Sequence, residues 1–133
     1  RMMAGEKILV VDDEKAMRNL CSQILDEEGY EVSLAEDGKE AVNKVLREDF
    51  AVAIVDIKMP GMDGMEVLRF IKKHKSHTEV IMITGYGTIE TAVEAMKLGA
   101  ADYITKPFNI EQLTMVVKMA LENRAHRLKN QQS

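Results

Sequence analysis

Short apolar runs alternate with longer stretches in which apolar residues recur every three or four positions, and the alternation repeats five times along the chain. The runs are Lys7–Val11, Glu31–Ala35, Ala51–Val55, Val80–Thr84 and Ala101–Thr105. The first, third and fourth have almost no polar interruption, as expected of strands in a parallel sheet covered on both faces. Between the runs, Met17, Leu20, Cys21, Ile24 and Leu25 mark a helix over 14–28 that Gly29 stops. Ala41, Val42, Val45 and Leu46 mark a second over 39–48, and Val67, Leu68 and Ile71 a third over 65–74. Thr88 reads as the N-cap of a fourth helix ending at Gly99. A fifth starts near Ile110 and extends past Leu128, but after Leu121 its pattern thins to Arg124, His126, Arg127, Leu128 and Lys129. Those last turns are expected to be solvated or to pack against something outside the chain. Five β/α units predict a doubly wound α/β sandwich.

Composition narrows the function more than the fold. A length of 133 residues suits one domain, and 46% hydrophobic with 30% charged residues are globular proportions. The formal net charge of −4 argues against direct nucleic-acid binding, which normally shows a basic face. Cys21 is the only cysteine, so no internal disulfide can form; it reads as a small core residue in a reducing, cytoplasmic setting. No apolar run approaches the roughly 20 residues that span a bilayer, so no membrane segment is expected. Arg1 ahead of Met2 suggests a cloning remnant or a cut from a longer protein.

Ligands of parallel α/β sheets bind beyond the carboxyl ends of the strands. The residues found there are Asp12 and Asp13 after the first run, Asp56 after the third, Thr84 ending the fourth, and Lys106 with Pro107 after the fifth. Three carboxylates within a few ångströms repel one another and call for a compensating cation. Mg²⁺ suits a few carboxylates completed by waters and a phosphate; Asp12, Asp13 and Asp56 would gather it, helped by the Lys58 backbone carbonyl. Phosphoryl transfer follows from these parts, with Asp56 as nucleophile, Lys106 as the cationic clamp and Thr84 as a hydroxyl ligand. Pro60, Gly61 and Gly64 bend the loop after Asp56 and keep its backbone unobstructed.

Four segments, Val10-Val-Asp-Asp-Glu14, Val55-Asp-Ile-Lys-Met-Pro-Gly-Met-Asp-Gly64, Ile83-Thr-Gly85 and Tyr103-Ile-Thr-Lys-Pro-Phe108, stand in order at the strand ends. In these the chain resembles the receiver domain of bacterial two-component response regulators, from Lys7 to about Leu121. The resemblance implies a flavodoxin-like five-stranded sheet of order 2-1-3-4-5. It also implies Asp56 as phosphoacceptor, Asp12 and Asp13 as Mg²⁺ ligands, Thr84 as switch hydroxyl, Lys106 as phosphate-binding amine, a cis bond before Pro107 and Tyr103 as switch aromatic. Such a domain is not an enzyme with a turnover substrate; it catalyses only its own phosphorylation and dephosphorylation, and a sensor histidine kinase is the partner that phosphorylates it. The run 85–100 is similar to receivers of nitrogen-regulation type activators, in which an AAA+ ATPase and a DNA-binding domain follow. Residues 5–122 are then the receiver and 123–133 the start of a linker to an output domain in cis. A homodimer is expected through the face of the fourth helix, fifth strand and fifth helix, or through the extended last helix.

Other readings of the same residues remain open. Asp12 and Asp13 also suit a helix N-cap and first-turn acid, and Tyr103 a strand tyrosine packed on the last helix. Met59 and Met62 read as loop packing; His74, His77, Arg124, Arg127 and Lys129 read as solvated. A Mg²⁺-dependent phosphohydrolase of haloacid-dehalogenase type would place its nucleophile after the first strand in an Asp-x-Asp arrangement, which Asp12-Asp13-Glu14 lacks. A flavodoxin-like FMN carrier would need a phosphate loop of Ser, Thr and Gly where two acids stand.

Overall fold

The computed structural model describes residues 5–85 and 87–131. Five strands, β1 (Lys7–Val11), β2 (Glu31–Ala35), β3 (Val52–Asp56), β4 (Glu79–Thr84) and β5 (Asp102–Thr105), alternate with five helices. The helices are α1 (Lys15–Glu27), α2 (Gly38–Arg47), α3 (Gly64–His74), α4 (Ile89–Lys97) and α5 (Ile110–Gln131). All strand pairs are parallel, in the order β2-β1-β3-β4-β5. The uninterrupted runs β1, β3 and β4 are thus the three central strands, while β2 and β5, which carry polar residues, are the edges.

Alternation along those strands divides the core into two layers. Ile8, Val10, Val52, Ile54, Ile81 and Ile83 face α1 and α5, where they meet Leu25, Leu113, Val117 and Leu121. Leu9, Val11, Ala53, Val55, Val80 and Met82 face the other way, onto α2, α3 and α4. Cys21 is buried in the first layer and Met59 in the second, as packing residues. Leu20 and Leu46, although on helical spacing, are 43% and 54% exposed: both lie at the margins of their helices' apolar stripes.

Helix starts follow local capping chemistry. Asp63 accepts from the Glu66 N–H and Glu66 returns the bond to the Asp63 N–H, a capping box that begins α3. Thr88 and Thr91 make the corresponding pair at α4, and Asp37 caps α2.

The last turns of α5 are exposed along most of their surface, Arg127 and Lys129 included, as expected, but Arg124 and Leu128 are half-buried and both arginines also pair with the domain. Arg124 donates to the His77 carbonyl at 2.8 Å and pairs with Glu6 at 3.6 Å. Arg127 pairs with the buried Glu79, and Leu128 is half-buried. His74 and His77 are exposed, as expected, and the His74 ring also lies tilted against Phe70, 4.2 Å between ring centroids. The buried Glu79 carboxylate at the foot of β4 faces this end of α5. Arg1, Tyr86, Gln132 and Ser133, which bear on the expectations above, lie outside the described residues.

Candidate functional site

The carboxyl ends of β1, β3, β4 and β5 open into a cleft of about 500 Å³ lined by Asp13, Glu14, Asp56, Lys58, Gly85 and Lys106. Asp12 forms its floor, 3% exposed, with Asp56 beside it at 5%. Lys106 reaches across from β5 and unites them: Nζ donates to Asp12 Oδ2 at 2.9 Å and to Asp56 Oδ2 and Glu14 Oε1 at 3.4 Å. The Lys106–Pro107 peptide is cis.

Each side chain is placed by its own segment. Asp12 Oδ1 accepts the Glu14 N–H and the Asp12 carbonyl accepts Arg18 Nη1, so the turn into α1 is tied from both sides. The capping alternative does not hold: α1 is capped by Glu14, with no acid in its first turn, and Asp12 stands two residues earlier, accepting the Glu14 N–H with one oxygen and meeting Lys106 with the other. Asp56 ends β3, one residue later than the predicted strand, and accepts the Lys58 N–H at 3.3 Å. The loop beyond turns at Gly61, with φ of 76°, and returns so closely that a Cβ on Gly64 would overlap the Asp56 carbonyl oxygen. The glycine is thus required by the approach of α3 to the strand carrying Asp56.

Burial and the charge of Asp12 push the Asp56 carboxyl up to about 6, against the pull of Lys106. Burial acts to lower the Lys106 ammonium, but Asp12 and Asp56 outweigh it and raise it. Four acids, Asp12, Asp13, Glu14 and Asp56, against two lysines, Lys58 and Lys106, leave the cleft net negative. Carboxylate oxygens of Asp12, Asp13 and Asp56 lie within 4.8 Å of one another. Oxygen donors at that spacing, with the disfavoured ionisation of Asp56, fit a small hard cation whose bonds to oxygen are roughly 2.1 Å.

Thr84 ends β4 and is 1% exposed, buried beneath Gly85 at the cleft wall. Tyr103 on β5 is half-buried against the second core layer, and its Oη lies 3.0 Å from Thr91 Oγ1 on α4. Its packing partner is therefore α4 and not the last helix. Glu14 and Arg18 join the site without having been singled out by the sequence. Glu14 was visible as the third acid of the first segment, whereas Arg18 had no signal beyond lying one helical turn farther on.

The response regulator receiver domain family model matches residues 8–118. The regulatory protein AtoC of Escherichia coli is 39% identical over 121 residues, 91% of this chain and 26% of its own length. This chain spans about a quarter of AtoC and of the NtrX-like regulators of Rickettsia that it also matches. A crystal structure of NtrX from Brucella abortus superposes with a TM-score of 0.90 at 38% identity, over 96% of this chain and 30% of that one. The solution structure of the beryllofluoride-activated NtrC4 receiver domain dimer gives 0.85 at 40% identity, over 89% of this chain and 98% of that one.

Proposed function

Because the chain belongs to the response regulator receiver domain family, we propose that it acts as a phosphoryl-accepting switch in which Asp56 takes a phosphoryl group from the phosphohistidine of a sensor kinase. The observation that carries this reading is the Asp56 carboxylate held between Lys106 at 3.4 Å and the Asp12 and Asp13 carboxylates at the sheet's ligand edge.

Asp56 attacks phosphorus in line as the P–N bond of the donor breaks; the electron pair stays on the imidazole nitrogen, which leaves as neutral imidazole after taking up a proton. Lys106, now on Asp12 and Asp56, moves to a phosphoryl oxygen as charge accumulates there. Asp12, Asp13, Asp56 and the Lys58 carbonyl would hold Mg²⁺, which when bound would supply charge neutralisation to the phosphoryl group. The acyl phosphate adds about −1.5 to −2 charges in place of one carboxylate. Thr84 meets this charge with its hydroxyl by moving toward it. Tyr103, bonded to Thr91, then follows into the space Thr84 leaves, which resets the face of α4, β5 and α5.

That face is where we place dimerisation: Ile89, Val93 and Met96 on α4 are 84%, 45% and 48% exposed. We read residues 5–122 as the receiver and 123–133 as the start of a linker to an output domain in cis, an AAA+ ATPase followed by a DNA-binding domain, in a cytoplasmic transcription regulator. Among the described residues no helix is long and apolar enough to cross a membrane.

Incubation with acetyl phosphate and Mg²⁺, followed by intact mass measurement, tests the central claim. One phosphoryl adduct is expected, and none with Asp56→Ala. An adduct that survives that substitution overturns the assignment. Light scattering with and without beryllofluoride tests the dimer.

A further inference from the structure

Glu79 is the one buried carboxylate, among the described residues, that the phosphoryl site does not use. It starts β4, at the end of the strand opposite Thr84, and its side chain is 6% exposed. Its buried Oε2 has no partner other than the guanidinium of Arg127. An ionised carboxylate at that depth is costly without a paired cation. The cation comes from the far end of α5, beyond residues 8–118 that match the family.

Two further observations place the same helix end on the same surface. Arg124, one turn earlier, is bound to the His77 carbonyl in the loop before β4 and to Glu6 ahead of β1, so the helix end is tied to the base of the sheet at more than one point. Lys72, which donates to the Ser76 and Thr78 carbonyls, is shifted down by burial and then by the charge of Arg127. Leu121, Arg124 and Leu128 share one face of α5, so the turns after the core continue the docked face instead of leaving the domain.

We propose that Glu79 and Arg127, assisted by Arg124, form a latch that docks the α5 extension on the base of the receiver and sets the direction in which the end of α5 points. A segment joined there then inherits a fixed orientation relative to β4. A free extension would instead behave as a swivel from about residue 123. The latch also occupies the face of the extension that bears Arg124, Arg127 and Leu128, so contact with a second copy through that face requires it to open.

Amide hydrogen exchange on the 133-residue chain tests this. In the unsubstituted protein, amides of 123–131 should be protected well below the rates of an unstructured peptide. Glu79→Met removes the buried charge while keeping volume, so the core should hold its protection while exchange in 123–131 rises roughly tenfold or more. Arg127→Met should free the same segment and in addition lower core stability, because Glu79 is left buried and unpaired. Peptide-like exchange in 123–131 of the unsubstituted protein, or no change there in Glu79→Met, overturns the latch.

Discussion

Asp56→Asn should make the folded domain more stable at neutral pH. The carboxyl of Asp56 sits near 6 in the fold against 3.8 for the free side chain, chiefly because of burial and then because of Asp12. A folded-state value above the unfolded one means that the fold binds the proton more tightly. The group therefore costs nothing below about pH 4, and its penalty grows as the unfolded chain ionises. Above about pH 6 the penalty is complete. A rise of about two units corresponds to about 3 kcal/mol at 1.36 kcal/mol per unit. The cleft is open to water, so screening reduces this to about 1.5 kcal/mol. Asparagine has the same shape without the charge, and Lys106 keeps its 2.9 Å bond to Asp12 in the variant. Urea unfolding at pH 7.5 in the absence of divalent ions should give the variant a higher midpoint with the same slope, and thermal unfolding a gain of roughly 5 °C. At pH 4 the two proteins should unfold together. A variant no more stable at pH 7.5, or a gap that persists undiminished at pH 4, would refute the electrostatic account of the site.

Lys106→Met should slow phosphoryl labelling by acetyl phosphate about a hundredfold or more, as measured by mass against time. It should also raise the Asp56 titration further, since Lys106, ahead of the Lys58 N–H, opposes the rise; a carbon-detected NMR titration reads this. Gly64→Ala should destabilise the domain by about 1–3 kcal/mol in urea, because the added methyl meets the Asp56 backbone and not a flexible side chain. Cys21, whose thiol is pushed up to about 12 by burial and then by Asp12, should resist a thiol reagent at pH 8 until the protein is unfolded.

The five strands were legible because each is a local pattern, and all five lie within a residue of their predicted bounds. Asp12, Asp13, Asp56 and Lys106 were legible because strand ends in a parallel sheet share one edge, so residues distant in sequence could be assembled before any contact was known. Arg18 and the exposure of Leu20 were not, since helical spacing identifies a stripe but not which margin of it the sheet covers.

The tail of α5 marks the boundary between the two kinds of knowledge. Arg124 and Arg127 followed a fading apolar pattern, and by periodicity alone they belong to water. Glu79 stands just ahead of the predicted strand Val80–Thr84, and nothing in its sequence neighbourhood marks it as buried. Only the packing of α5 across the sheet brings the arginine to the buried acid. The sequence by itself determined the elements, their layering and which residues stand at the strand ends, because those depend on short-range periodicity and parallel topology. Tertiary structure alone decided which charges meet, how far Asp56 is desolvated and where the last helix lies. Those outcomes depend on distances between elements, and pairing and desolvation change steeply over a few ångströms.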